Sequence, residues 1–262
     1  MKISHIITES GMRLAFDDVK KLLDTDYSDA YAAAKNGNFI YRGFGDSHVV
    51  FELYKPLKNR TSKNTNNFYT LIMNNDPRFS KLPNRAVIAS TSKQYAFTFA
   101  GSDLNVAVLF PKNGTTLAIS PSHDLWTTPV PSAKNSSFGY YSWGRLLERI
   151  LSVIAPLSDI RSYQDMLNVD KLFKEYIKDE EKKDLLEADL QYVIGTRYNL
   201  PDVDIIIEHI FSKGLVYYYE LLDPSVFETV SISNYPSLDG RHEIWFDNDF
   251  IAINIELIDS LL

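Results

Sequence analysis

The chain contains no cysteine, so disulfides and thiolate metal sites are excluded, and the composition suits a reducing cytoplasm. It has no apolar run near the roughly 20 residues that a membrane-spanning helix needs. The opening residues Met1-Lys2-Ile3-Ser4-His5 lack the apolar core of a signal peptide. These absences predict a soluble, cytoplasmic protein with no membrane partner. Positive charge is also in short supply. The 262 residues carry a formal net charge of −7, which argues against a protein that coats nucleic acid. No internal repeat is visible, so a solenoid is not expected. What remains is an ordinary globular composition, 45% hydrophobic, with material for one large domain or two small ones.

The most informative stretch is Arg85 to Phe99. Ala86 to Ala89 is a short apolar run, which reads as a buried strand. It ends in three small hydroxyl residues, Ser90-Thr91-Ser92, and Tyr95, Ala96 and Phe99 follow at helical spacing. Hydroxyls clustered at a strand end supply short donors and acceptors to a polar ligand. They also serve as helix N-caps, which is the plainer reading of the same residues.

Upstream, residues 12 to 35 read as a helix with a break at Asp24-Thr25-Asp26 and a stop at Asn36-Gly37-Asn38. Phe39 to Gly45 reads as an aromatic strand carrying Arg42. A charge in an apolar strand is costly unless it is paired, so Arg42 belongs either on an exposed edge or in a ligand pocket. Gly43 and Gly45 allow close approach of other backbone just after it. Residues 55 to 93 hold eight Lys and Arg against the single acid Asp76. Such a basic segment in an acidic protein attracts phosphates or is simply a solvated surface, and Thr61 to Asn67 within it reads as a polar loop.

Downstream, Leu104 to Phe110 and Thr115 to Ile119 read as strands, and residues 127 to 142 as a linker or long loop. Trp143 to Lys213 has helical character, with Pro156 and Gly214 as stops. The adjacent pair His123-Asp124 is a weak dyad candidate, and His209 a structural histidine. Strand-like stretches return at 215–222, 226–232 and 250–258, with Arg241-His242-Glu243-Ile244-Trp245-Phe246 after a polar loop. The order of helix, strands, helices and strands predicts an α+β fold with a helical insertion at 143–213 and an N-terminal helical segment at 1–37.

Three of these stretches share a pattern. An arginine follows aromatic residues on an early strand (Tyr41-Arg42-Gly43), a strand ends in Ser90-Thr91-Ser92, and a late strand begins with Glu243-Ile244-Trp245-Phe246. In this order they resemble the mono-ADP-ribosyltransferases of the Arg / Ser-Thr-Ser / Glu class, and the segment around Ser90 is similar to bacteriophage-encoded members. The resemblance covers residues 38–126 and 230–256. It implies a single domain over 1–262 with a split antiparallel β-sheet, NAD as co-substrate, no metal, and a protein or nucleic-acid acceptor in the host cytoplasm. Arg42 would contact a phosphate of NAD, Gly43 the nicotinamide amide, and Ser90 would orient Glu243. Thr91 and Ser92 would support the strand end, with Tyr95 and Phe99 packing the nicotinamide side. Glu243 would be the catalytic carboxylate. Tyr235, Pro236 and Arg241 would lie in the acceptor loop. The family's Glu or Gln two positions before the catalytic glutamate is Arg241 here, which argues against arginine as the acceptor.

Two rival acids, Glu220 and Glu228, lie on neighbouring strand-like stretches, but only Glu243 opens a strand directly after a long polar loop. Two other function classes fit the same residues. One is a catalytically inactive ADP-ribosyltransferase-like interaction or inhibitor protein. The other is a nucleic-acid-binding module using the basic 55–93 stretch, whose binding would fall steeply with salt.

Overall fold

The computed structural model describes residues 11–45, 48–57, 67–125, 140–154, 162–192, 203–215 and 223–262. The strand expected at 215–222, with Glu220, lies outside the described residues apart from Leu215. So do most of the 127–142 linker, residues 61–66 of the polar loop, and Lys58, Arg60 and Lys63.

The chain forms two compact units. The first comprises residues 1–60, 81–123 and 227–262, and the second residues 61–80 and 124–226. Together they are mixed α/β with a nine-stranded antiparallel sheet among the described residues. The second unit therefore takes in more than the helical insertion expected at 143–213.

The first unit is built on the sheet. Its strands are β1 (Met12–Arg13), β2 (Tyr41–Gly43), β3 (Phe51–Tyr54), β4 (Val87–Ser90), β5 (Val106–Pro111), β6 (Thr116–Ile119), β7 (Glu228–Ser231), β8 (Glu243–Phe246) and β9 (Phe250–Asn254). They lie in the order β1-β3-β9-β5-β2-β4-β8-β6-β7, and every pairing is antiparallel. β8 and β9 are joined by residues 247–249 alone, yet β5, β2 and β4 stand between them in the sheet. In a flat sheet the gap would be about 19 Å, at ~4.8 Å per strand, beyond the ~14 Å that three linking residues can span. The sheet must therefore bend enough to bring the end of β8 within that reach of the start of β9. The rings of Phe246 and Phe250 meet edge to face across the turn, with centroids 5.7 Å apart. The last strand ends earlier than the expected Ile258, because Ile255–Ser260 is a 3-10 helix whose first turn is capped by the Asn254 side chain.

The predicted break in the N-terminal helix is present. α1 (Phe16–Leu23) and α2 (Ser28–Lys35) are separate helices, and α2 is stopped at Gly37 with φ +83°. Val19, Leu23, Ala30 and Ala34 are buried in one core with Val108, Phe110, Ile251 and Ile253. α4 (Lys93–Phe97) begins at Ser92, whose side chain accepts a hydrogen bond from the backbone of Tyr95. Ser92 is thus the helix cap that its residue type favours. α4 lies so close to β2 that a Cβ on Gly43 would overlap the backbone of Ala96, Phe99 and Ala100. Only glycine fits there.

The second unit is helical: α3 (Asn67–Asn75), α5 (Tyr140–Ile154), α6 (Tyr163–Tyr176), α7 (Glu180–Gln191) and α8 (Val203–Lys213). α5 buries Leu146, Leu147 and Ile150, the part of the apolar stripe legible in the sequence, together with Leu151, while Ile154 at its end is half-buried. Arg149 on α5 makes a two-pronged pair with Asp189 on α7, at 2.6 and 2.7 Å. α6 opens with a reciprocal capping box between Ser162 and Asp165. α3 joins this unit because it buries Ile72 and Met73 and packs beside α6. None of the helices among the described residues is long and apolar enough to cross a membrane.

Buried tyrosines make the first unit sensitive to alkali. Burial, then the charges of Asp249 and Asp26, push the Tyr27 phenol from 10.0 up to about 12. Burial also raises Tyr41, and burial followed by the neighbouring Tyr41 raises Tyr235. The unfolded chain releases these protons near pH 10 while the folded chain holds them. The stabilisation is therefore complete below about pH 10 and lost as pH rises toward 12. Urea midpoints measured at pH 8 and pH 11 should show a steep loss in the wild type and a smaller loss in Tyr27→Phe. Equal losses in the two would exclude Tyr27 as a source.

Candidate functional site

The residues singled out from the sequence converge on three adjacent strands, β2, β4 and β8. Tyr41 stands opposite Ser90, and Ser90 opposite Glu243. Directly opposed residues on antiparallel strands share a face. One row of side chains thus runs from Tyr41 through Ser90 to Glu243. The 150 residues between Ser92 and Glu243 are no obstacle, because most of them lie in the helical unit and the chain returns to the first unit at Phe227.

Arg42 does not join this row. The pleat that puts Tyr41 beside Ser90 turns Arg42 to the opposite face, level with Ala107. Arg42 is half-buried as a residue, and its guanidinium lies over the Phe44 ring, 5.0 Å from the centroid. The expectation that Arg42 would share a cleft with Ser90 is therefore corrected by strand parity. Gly43 is on the same face as Tyr41, against α4.

Glu243 is buried, 6% exposed, with both its backbone groups bonded to the segment 120–122. Its N–H donates to the Ser122 carbonyl at 2.8 Å, and its own carbonyl accepts from the Ser120 N–H at 2.9 Å. The side chain is ion-paired with Arg85, whose Nη2 donates to Oε1. Arg85 is 2% exposed and its guanidinium lies 5.5 Å from the Trp245 ring centroid. Sequence reading treated Arg85 only as one cation of a basic stretch. A cation directly before an apolar strand was the available signal, but nothing local named its partner.

The Ser90-Thr91-Ser92 corner is stitched to the chain before Glu243. The backbone N–H of Thr91 donates to the His242 carbonyl at 3.0 Å, and the N–H of His242 donates to the Thr91 hydroxyl at 2.8 Å. The Ser90 hydroxyl accepts the Ser92 N–H at 3.0 Å. His242 extends this clamp, with Nδ1 2.8 Å from the Ser120 carbonyl and Nε2 2.9 Å from that of Asp239. His242 was not among the expected site residues, although its place beside Glu243 marked it.

Around this corner Tyr95 makes edge-to-face contacts with Phe99 at 5.2 Å and with His123 at 5.0 Å. Phe99 is 58% exposed, so its ring faces solvent rather than the core. Arg241 is exposed and donates to Gln94 at 3.0 Å. Tyr235 is placed differently from the acceptor-loop expectation: it is 8% exposed and belongs to the hydrophobic core. Pro236, next to it, is half-buried.

The basic 55–93 stretch is divided between the two units, so its charge is not presented by one segment of fold. Arg78 is paired with Asp76 at 2.7 Å and Arg85 with Glu243. Of the rival acids, Glu228 is exposed on β7. Among the described residues, no group of three His, Asp or Glu side chains is placed to hold a metal ion. A groove of about 310 Å³ lined by Lys81, Pro83, Thr116 and Asp247 lies at the other end of β8 from Glu243.

Comparison with protein-family models, with curated proteins and with solved structures finds no match for this chain.

Proposed function

We propose that this protein is a mono-ADP-ribosyltransferase of the Arg / Ser-Thr-Ser / Glu class, of the type encoded by bacteriophages. On this reading it uses NAD as co-substrate, releases nicotinamide and modifies a protein or nucleic-acid acceptor in the host cytoplasm. An all-antiparallel sheet supports this reading, since the class is built on a split antiparallel sheet. The observation that carries the proposal is the row Tyr41, Ser90, Glu243 across three neighbouring strands. It brings Ser90 and Glu243, from stretches far apart in sequence, side by side, while Arg42 lies on the other face.

The chemistry follows from charge. Breaking the bond between nicotinamide and ribose builds positive charge on the sugar, and a fixed carboxylate lowers the energy of that state. Glycosidases use carboxylates to the same end. Glu243 opens a strand with its N–H and carbonyl both bonded to residues 120–122, so its backbone position at the strand end is well defined. Tyr95 and Phe99 would lie against the nicotinamide side, and Gly43 would meet the amide with its backbone. Arg241 would face the acceptor.

The reading is tested by incubating the protein with NAD labelled in the nicotinamide ring, with and without bacterial lysate. Release of labelled nicotinamide is expected, together with transfer of the ADP-ribose moiety to a macromolecule in lysate. If the wild type does neither, the inactive interaction-protein reading replaces this one.

Arg42 is tested separately by calorimetry with NAD. With its side chain on the face opposite Ser90, Arg42→Ala should leave NAD affinity unchanged, and a loss of about 1.5–3 kcal/mol, the scale of one charged hydrogen-bonding group, would return Arg42 to the site. Unchanged affinity would remove Arg42 from the site and leave the phosphates to other groups.

A further inference from the structure

We infer that Arg85 is the positioning residue for Glu243, acting on the reaction through the carboxylate and not on the ligand. The inference rests on the proposed role of Glu243 and adds a residue to it. Arg85 is 2% exposed, so its guanidinium is closed to any bound molecule. Its Nη2 donates to Oε1 of Glu243, and the planar guanidinium lies 5.5 Å from the Trp245 ring centroid. Trp245 is itself fully buried, and its Nε1 donates to the Pro83 carbonyl at 3.1 Å. A chain of contacts thus runs from the backbone before β4, through Trp245 and Arg85, to the carboxylate.

The backbone bonds of Glu243 fix where its side chain starts but not how its carboxylate is turned. A guanidinium held from the other end supplies that missing constraint, because its planar fork is directional where an ammonium is not. It also offsets the cost of burying a lone carboxylate. Glu243 and Trp245 are two residues apart on β8 and so share a face, which is why one side chain reaches both.

The test compares wild type, Arg85→Met, Arg85→Lys and the double variant Arg85→Met/Glu243→Gln. Nicotinamide release and thermal melting are measured for each. A misplaced reacting group costs on the order of 10²-fold, so Arg85→Met should lose about that much in kcat. Its KM for NAD should stay within about threefold, since a group touching no ligand contributes no uniform binding. Arg85→Lys should recover part of the lost kcat. The double variant should melt above Arg85→Met, because a neutral amide costs less than a carboxylate to bury once the guanidinium is gone.

A folded Arg85→Met with wild-type kcat, or with its loss confined to KM, overturns the inference while leaving the proposed activity intact. If Arg85→Met does not fold, Arg85→Lys decides. Reduced kcat at wild-type KM supports positioning, and unchanged kcat overturns it. Absence of release by the wild type itself would instead sink the proposed activity, and the positioning role with it.

Discussion

Replacing Glu243 by glutamine is expected to lower nicotinamide release by about 10²-fold or more, the scale of losing one group that stabilises transition-state charge. The substitution keeps size and removes only the charge. It does not leave the fold untouched, because the carboxylate is the ion-pair partner of the buried Arg85. Breaking a buried pair from one side costs about 3–5 kcal/mol, and the amide oxygen, still able to accept from Nη2, recovers part of it. Activity and melting must therefore be read together. Glu228→Gln is the matched control, since Glu228 is exposed on β7 and its loss should change neither quantity. Full turnover by Glu243→Gln would overturn the assignment of the catalytic carboxylate. A loss of turnover that scales only with the folded fraction would make the effect structural. With NAD affinity measured alongside, the three outcomes separate cleanly.

The second large effect concerns Trp245. Its side chain is fully buried on β8, meets Phe227 edge to face at 5.1 Å, and donates its indole N–H to the Pro83 carbonyl. Trp245→Ala removes all of these and leaves a cavity, which costs about 3–5 kcal/mol for a large aromatic side chain. Trp245→Phe keeps an aromatic ring, though a smaller one, and loses the hydrogen bond, leaving the Pro83 carbonyl without that donor at a cost of about 1–3 kcal/mol. Both are checked by chemical denaturation followed by circular dichroism. Trp245→Ala should also depress nicotinamide release at temperatures where it is folded, because Arg85 loses the surface it lies on. A stability change under about 1 kcal/mol in Trp245→Ala would mean that the site closes over the cavity, far below the range seen for such truncations.

The local features of this chain were legible because their causes lie within a few residues. Ser92 caps α4 with a bond to Tyr95 three positions on. Ala86 to Ala89 read as a buried strand from its apolar run, and the α5 stripe from its period. The break at Asp24 to Asp26 and the stop at Gly37 follow from local backbone and capping preferences. Even the close approach at Gly43 followed from the missing side chain. The same kind of reading failed where two influences compete. Tyr235 sits in a polar loop by composition, yet tertiary burial claims it for the core.

Everything that decides chemistry at the candidate site is non-local. Strand parity was set by a register between β2, β4 and β8, and a shift of one residue would exchange the faces of Arg42 and Tyr41. Nothing in Tyr41-Arg42-Gly43 reveals which of the two alternates will face Ser90. Arg85 and Glu243 are 158 positions apart, so their pairing exists only once β4 and β8 lie side by side. The division of the basic 55–93 stretch between two units follows from which core Ile72 and Met73 enter, and not from its charge. The sequence by itself determined the elements, their caps and the three stretches that can meet. Tertiary structure alone decided which side chains share a face and which charge answers which, because pairing and burial join residues that the chain keeps far apart.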